Sequence, residues 1–331
     1  MKKILQYLFE YKTLSREKAK EILVNMSRGQ YNESEMSAFI TVFLMRSITI
    51  EELQGFQDAL LELCVKVDLG HSVMDIVGTG GDGKNTFNIS TLSCFIVAGA
   101  GQKVAKHGNY GATSISGASN VMEQLGYTFK EDNAVLKKEL ETANICFLHA
   151  PLFHPALKMV GPIRKNLGVR TFFNMLGPMV NPATPAYQLV GVYNLEMARI
   201  YNYLLQQSGN AFTIIHSLDG YDEISLTNDT KVITNKGERV MTPRQLGKRM
   251  VMPEDIHGGN SVEEAAKIFT RIIKGEGSWA QNAVVLANAA MALYCTGNYG
   301  NYEEAYHSAV DSLENGKAYQ SLQTLISLQA K

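Results

Sequence analysis

Met74-Asp75-Ile76-Val77-Gly78-Thr79-Gly80-Gly81-Asp82-Gly83, with Asn88-Ile89-Ser90-Thr91 a few residues on, is the stretch whose reading decides the fold. A short apolar run closes in a glycine-rich turn and a helical pattern opens behind it, the texture of a parallel strand feeding a crossover helix. Glycines let backbone N–H groups close on an anion. Ser90 and Thr91 add hydroxyls at a helix start, and the combination suits phosphate or pyrophosphate. A tight strand-to-helix turn with a cap uses the same residue types, so this loop alone leaves both readings open. It is neither a Walker loop nor a Gly-x-Gly-x-x-Gly fingerprint, because no Gly-Lys-Ser/Thr and no suitably spaced third glycine follows.

Working outward, the same texture recurs. Lys106-His107-Gly108-Asn109-Tyr110-Gly111 closes a second predicted strand and leads through Thr113, Ser114, Ser116, Gly117 and Ser119 into a helix. Open parallel sheets bind ligands outside the carboxyl ends of their strands, so both loops are expected to face one crevice. Lys106 offers a point charge to a phosphate and the serines offer hydroxyls. Strands are expected at residues 74–77, 103–106, 145–148, 187–193 and 211–216, with helices between them. A hairpin around Asn235, Lys236 and Gly237 adds antiparallel strands, and a capped helix starts near Ser261 with Glu264 three residues on.

Upstream, residues 1–66 read as helices only, with apolar positions at helical spacing such as Ala19, Ile22, Leu23 and Met26, then Met36, Phe39, Ile40 and Phe43. Asn32 with Glu35, and Thr49 with Glu52, have capping-box spacing. The prolines and glycines of residues 160–182 break the strand–helix alternation, and that segment is expected to return to the helical module. The division is then 1–68 helical, with a returning segment near 160–185, and 69–331 α/β.

With 31 basic and 32 acidic residues among 331, the chain carries no whole-molecule attraction to nucleic acid or anionic membrane, so any anion site is local. Cys64, Cys94, Cys146 and Cys295 stand far apart, without metal-type spacing or a disulfide framework, which fits reduced thiols in the cytoplasm. The first ten residues lack the cleavage site of a signal peptide, and apolar runs such as residues 283–294 are shorter than a membrane span.

Taken together, Gly78-Thr79-Gly80-Gly81-Asp82, Asn88-x-Ser90-Thr91 and Lys106-His107-Gly108-Asn109 resemble the anthranilate phosphoribosyltransferase family. The segment from His149 to Pro182, with Pro151, His154, Pro162, Arg164 and Gly177-Pro178, is similar to that family's anthranilate side. Asp222-Glu223-Ile224-Ser225 matches its metal motif, and Asn282 and Asn288 agree as well. The resemblance implies a small N-terminal helical domain packed on a large α/β domain with a mainly parallel central sheet, a nucleoside phosphorylase/phosphoribosyltransferase-like fold. It implies transfer of the phosphoribosyl group of phosphoribosyl pyrophosphate to anthranilate in tryptophan biosynthesis, two magnesium ions per monomer, and a homodimer.

Residue by residue, the resemblance assigns Gly78, Thr79, Gly80, Gly81, Asp82, Asn88, Ser90, Thr91, Lys106, Ser114 and Ser119 to phosphoribosyl pyrophosphate. Gly78, His107, Asn109, Pro151, His154 and Arg164 fall to anthranilate, and Ser90, Asp222 and Glu223 to the metal ions. Lys106, Arg164, Asp222 and Glu223 are the candidate catalytic set. Where the family commonly has Arg after Lys-His-Gly-Asn this chain has Tyr110, which removes one phosphate-side cation. Ala118 precedes Ser119 where a serine often comes first, Leu157 stands where Met is frequent, and Asn120 where Asp is frequent. Two competitors are a pyrimidine nucleoside phosphorylase and a non-catalytic nucleic-acid-binding relative. The first needs a Ser-x-x-x-Lys element downstream of an Arg, absent after Arg164, and the second needs a basic face and eroded metal ligands.

Overall fold

Capping fixes where the N-terminal helices begin. In the computed structural model, which describes residues 1–111, 115–247 and 249–330, α1 (Lys2–Phe9), α2 (Arg16–Ser27), α3 (Glu33–Met45) and α4 (Ile50–Leu63) form in succession. Both expected capping boxes close. Asn32 Oδ1 accepts from the Glu35 N–H at 2.9 Å while Glu35 accepts from the Asn32 N–H at 3.1 Å, and Thr49 and Glu52 reciprocate in the same way. Two orphan donors are satisfied at each start.

The chain divides into two compact units, Met1–Val67 with Ala150–Pro182, and Asp68–His149 with Ala183–Lys331. The return to the helical unit thus begins at Ala150, ahead of the proline-rich stretch near residue 160 where the sequence pattern breaks. Its anchor is aromatic. Phe172, 3% exposed, stacks on Phe56 with centroids 4.4 Å apart and meets Phe43 edge-on at 5.1 Å. Burial of one such ring contributes about 1.5–3 kcal/mol, and each ring pair adds about 0.5–1.5 kcal/mol. The returning segment carries α8 (Ala150–Phe153), α9 (Ala156–Leu167) and α10 (Phe173–Leu176).

The second unit is built on a seven-stranded sheet of order β3-β2-β1-β4-β5-β6-β7. Its strands are β1 (Met74–Gly78), β2 (Val104–Gly108), β3 (Ile145–His149), β4 (Tyr187–Gly191), β5 (Ala211–Ser217), β6 (Thr230–Thr234) and β7 (Gly237–Met241). The first five pair in parallel, and the β6–β7 hairpin joins β5 antiparallel. Such strands are covered on both faces, which is why β2 and β3 are buried almost throughout. Helix α5 (Ile89–Gly99) follows β1, while α6 (Ala118–Gln124) and α7 (Asn133–Ala143) lie between β2 and β3. Next come α11 (Leu195–Gln206) and α12 (Val262–Ile273), then α13 (Trp279–Cys295), α14 (Tyr302–Glu314) and α15 (Lys317–Ser327). Helices α5 and α13 are apolar nearly all round because both are enclosed in the core. Ser261 caps α12 as expected, but Glu264 reaches the N–H of Asn260 at 2.6 Å instead of closing a box with Ser261. No helix among the described residues is long and apolar enough to cross a membrane.

Glu52 does more than cap α4. Fully buried, it takes both outer nitrogens of Arg46, at 2.6 and 2.9 Å, and the Leu14 N–H at 2.9 Å. Burial alone pushes the Glu52 carboxyl up. The Arg46 guanidinium and the N–H groups of Thr49 and Leu14 outweigh it, and the carboxyl ends below its ordinary 4.5. A depressed carboxyl stabilises the fold above its unfolded value and loses that contribution as pH falls through the folded one. Glu52→Ala is therefore expected to cost about 3–5 kcal/mol in urea unfolding at pH 7, by stranding a buried guanidinium. Replacing Arg46 and Glu52 together by methionine is expected to cost much less, and equal losses in the two variants would contradict this account.

Candidate active site

The site sits where the sheet changes direction. After β1 the chain builds outward through β2 and β3, then returns to lay β4 on the opposite flank of β1. Such a switch point leaves a crevice at the carboxyl ends of the strands. Here Gly78 pairs with Gly191, and the Thr79 N–H donates to the Gly191 carbonyl at 2.9 Å. Both glycines are required for the same reason: a Cβ on Gly78 would strike the Asp222 carboxylate, and one on Gly191 would strike the Asp222 carbonyl. Asp222 belongs to the turn after β5 and is 7% exposed. Its Oδ2 accepts from the Gly80 N–H at 2.7 Å, in a loop where Gly80 and Gly81 adopt φ of 65° and 78°.

Glu223, next in sequence, reaches the start of α5. Its two oxygens accept from the Ser90 N–H at 3.1 Å and the Thr86 hydroxyl at 3.3 Å. The turn carrying both carboxylates is braced from behind. Ser217 donates to the Glu223 carbonyl at 2.7 Å, while buried Asn288 of α13 accepts from the Ile224 N–H at 3.0 Å and donates to the Ile224 carbonyl at 2.8 Å. Lys106, 2% exposed on β2, donates to the Ile76 carbonyl at 2.6 Å and stands 3.4 Å from Ser90 Oγ. The crevice therefore has one acidic side and one buried ammonium.

Burial pushes the Asp222 carboxyl up to about 7 from an ordinary 3.8, with the charge of Asp82 adding to the effect. Burial likewise raises Glu223 well above its usual range, reinforced by Asp222 and Asp82, and raises Asp82 itself. Three carboxylates whose ionisation burial opposes, two of them opposed further by the charge of Asp82, form a setting that a cation would relieve. Their donor atoms are all oxygen, which suits a hard divalent ion. No group of three or more His, Cys, Asp or Glu side chains among the described residues is arranged to hold a metal by itself. The residues present thus fit an ion that shares its coordination with ligand oxygens and water.

The two loops are tied together. Asn88, expected to point at a ligand, heads α5 without capping it and donates its side-chain N–H to the Ser116 carbonyl at 2.9 Å. Thr91 is buried in α5, and Ser119, 2% exposed, lies 2.9 Å from His149 Nδ1. His107 is buried on β2, with its backbone N–H donating to Asp75 at 3.2 Å, and exposed Asn109 takes the Tyr110 N–H at 2.8 Å. Ser114 lies outside the described residues. Among those described, the buried hydroxyls of Thr79 and Ser116 have no hydrogen-bond partner within the protein. Unpaired buried hydroxyls beside an anion-type loop point to a polar ligand.

This arrangement has close counterparts. A glycosyl transferase family α/β-domain model matches residues 70–319, and the helical-bundle domain model of the same family matches residues 2–64. The anthranilate phosphoribosyltransferase of Flavobacterium johnsoniae is 58% identical over 98% of both chains. This chain belongs to the anthranilate phosphoribosyltransferase family. Among solved structures, the anthranilate phosphoribosyltransferase of Thermus thermophilus aligns with a TM-score of 0.92 at 30% identity over 99% of both chains. That of Saccharomyces cerevisiae in complex with phosphoribosyl pyrophosphate and magnesium aligns with a TM-score of 0.90 at 28% identity, over 98% of this chain and 96% of the other.

Pro151, His154 and Arg164 belong to the helical unit. Pro151 is exposed on α8. His154 is 1% exposed, and burial, partly offset by a backbone bond at Val180, pushes its imidazole down to about 4, so it is neutral at pH 7. Arg164 of α9 is half-buried, with its guanidinium 5.4 Å from the Phe173 ring centre, and burial lowers it from its ordinary value. No carboxylate among the described residues pairs with it. Sequence reasoning missed Thr86, Ser116 as an unpaired hydroxyl, Ser217 and His149. Only Ser116 carried a local signal, its place in a serine-rich loop.

The buried carboxylates make a stability prediction. With the protein free of divalent ions at pH 8, Asp222→Asn is expected to raise the melting temperature, by on the order of 1 kcal/mol of added stability, because it removes a charge held against burial and Asp82. Thermal melts in chelator, compared for wild type and variant, check the sign. A variant less stable than wild type would show that the ionised form is well accommodated without a cation.

Proposed function

We propose that this chain transfers the phosphoribosyl group of phosphoribosyl pyrophosphate to the amine of anthranilate, giving N-(5-phosphoribosyl)anthranilate and pyrophosphate in tryptophan biosynthesis. The observation that carries the reading is the convergence, at the β1–β4 switch point, of the Gly78–Asp82 loop, buried Lys106 and the Asp222-Glu223 pair. Membership of the family supports it, and the competing phosphorylase and nucleic-acid-binding readings gain no support from it.

Substitution at the anomeric carbon passes through an oxocarbenium-like state, so much of the barrier is removed by stabilising charge on the departing diphosphate. The N–H groups of Gly81 and Asp82 and the hydroxyls of Thr79 and Ser90 bind that diphosphate, since the N–H groups of Thr79 and Gly80 are given to the Gly191 carbonyl and to Asp222. Lys106 already gives one N–H to the Ile76 carbonyl and directs its ammonium at the same anion. Ser90, Asp222 and Glu223 would hold two magnesium ions, which would supply neutralisation of the diphosphate charge. Asp82, Asn88, Thr91, Ser114 and Ser119 complete the phosphoribosyl side. For the acceptor, Arg164 is assigned to the anthranilate carboxylate, with Pro151 and neutral His154 as the further anthranilate positions of the helical unit and Gly78, His107 and Asn109 as those of the α/β unit. A neutral aromatic amine is a competent nucleophile once it is desolvated and aligned, so no ionised general base is needed. The enzyme acts in the cytoplasm as a homodimer.

A coupled assay with anthranilate, phosphoribosyl pyrophosphate and magnesium, following the loss of anthranilate fluorescence, tests the activity; nucleoside phosphorolysis without that loss would overturn it. Arg164→Ala is expected to raise the anthranilate KM about ten- to a hundredfold, as loss of a hydrogen-bonded charge does. The phosphoribosyl pyrophosphate KM is expected to stay nearly unchanged, and discrimination against aniline-like acceptors to shrink. A defect confined to phosphoribosyl pyrophosphate would remove Arg164 from the acceptor site.

A further inference from the structure

Beyond Lys106, from His107 to Phe129, the chain contains no lysine or arginine, so the rest of the second anion-type loop has no fixed cation of its own. The described parts of that loop are folded back onto the first turn of α6. Asn120 Oδ1 accepts from the N–H groups of Gly111 and Gly117 at 3.1 and 3.0 Å, and the Ser119 N–H reaches the Asn109 carbonyl at 3.3 Å. Tyr110, where an arginine is common, gives its hydroxyl to Glu123 at 2.8 Å and sets its ring against His149, with centroids 4.9 Å apart and planes at 76°.

His149 ends β3, paired with Gly108 of β2, and is 6% exposed. Phe129 stacks on its ring at 4.6 Å and 23°, and its Nδ1 lies 2.9 Å from the Ser119 hydroxyl. A serine hydroxyl has a single proton to give. If Nδ1 is bare, Ser119 spends that proton on the imidazole and turns only lone pairs elsewhere. If Nδ1 carries hydrogen, Ser119 accepts from it and its own proton is free for a phosphate oxygen. An anion at Ser119 therefore selects the Nδ1–H form, and the imidazolium supplies both that hydrogen and a positive charge. The stacked Phe129 face favours the same cation.

We propose that His149 is a positioning residue for the phosphoribosyl substrate: it directs the Ser119 hydroxyl and takes up a proton when the phosphorylated ligand binds, giving the part of the loop beyond Lys106, which has no lysine or arginine, a cation on demand. This rests on the reading of Ser119 as a phosphate contact. The titratable groups facing the ring are Glu123 from α6 and Tyr110 from the loop after β2; Phe129 and Gly108 contribute none. In the free protein burial holds the imidazole below its ordinary 6.5, against a smaller opposing pull from Glu123, so the resting form is neutral at pH 7.5. Ligand binding raises the imidazole, and binding is therefore tightest at low pH and weakens as pH rises through the value in the complex.

The test is calorimetric titration of the intact enzyme with phosphoribosyl pyrophosphate and magnesium, in two buffers of different ionisation enthalpy, together with the pH profile of the phosphoribosyl pyrophosphate KM. Wild type is expected to take up protons on binding, and its KM to rise with pH. His149→Asn keeps a donor near the Nδ1 position without a charge. It should lose both the proton uptake and the pH slope while the anthranilate KM stays within about twofold of wild type. His149→Phe keeps the stack, loses the donor as well, and should raise the phosphoribosyl pyrophosphate KM about tenfold. Ser119→Ala separates the two levels of the argument. If it leaves affinity unchanged, the phosphate role of Ser119 falls and this inference with it. If it weakens binding while His149→Asn retains the wild-type proton uptake and pH slope, the inference alone is overturned. Thermal melts of each variant exclude a folding defect as the cause.

Discussion

The site depends on one close packing, the contact of Asp222 with the backbone of Gly78 and Gly191. Two parallel strands end side by side with no side chain at their last position, and the space is filled by the turn from the end of a third strand. That contact places a carboxylate within 2.7 Å of the Gly80 N–H, which shapes the anion loop, and puts Glu223 within reach of the first turn of α5. A methyl group at either glycine would push the Asp222 turn outward, and the loop and the helix start would lose their shared partner. The requirement is steric first and electrostatic second.

The electrostatic part runs against stability. Asp82, Asp222 and Glu223 are kept in an environment that opposes their ionisation, and the opposition comes chiefly from burial. The rest of the unit tolerates this because the turn is braced by neutral groups. Asn288 reads both backbone groups of Ile224, and Ser217 binds the Glu223 carbonyl, so the carboxylates cannot relax into solvent by unwinding the turn. Carboxylates buried in this way would be relieved by a bound cation. Glu52 in the helical unit is the opposite case: there the guanidinium partner is supplied by the protein, and the buried charge holds the fold together.

Features fixed by neighbours in sequence are legible in the sequence itself. The capping boxes at Asn32 and Thr49 need only residues three apart, and β1 to β5 announce themselves by apolar runs that end in turns. The Gly78–Asp82 loop could be named for the same reason, whereas the Asp222-Glu223 pair was marked only by its resemblance to the family's metal motif. What stayed hidden depends on approach across the fold. Phe172 ties the returning segment to Phe43 and Phe56 from more than a hundred residues away, so a stretch broken by proline and glycine gave no hint of where its return begins. Asn88 has the right type and place for a helix cap, yet it spends its amide on Ser116 in the neighbouring loop. Glu264 fits the spacing of a box and takes the Asn260 N–H, since the glycine turn before Ser261 brings that N–H within its reach.

Tyr110 shows how such hidden contacts change the meaning of a sequence departure. Considered alone, tyrosine in place of arginine is the loss of a cation. In the fold its hydroxyl is fixed by Glu123 and its ring lies against His149, which itself holds Ser119. A permanent cation at that position would sit on an exposed loop, strongly hydrated and screened by salt whether or not a ligand is present. A buried imidazole is neutral at rest, so it adds no standing charge near Lys106, and it becomes charged only against an anion that it helps to hold. On the proposed reading both arrangements would set a cation against bound phosphate, but they differ in the free protein, where the imidazole carries no standing charge. The departure at Tyr110 is thus better read as relocation of the cation from the loop tip to the end of β3 than as its deletion.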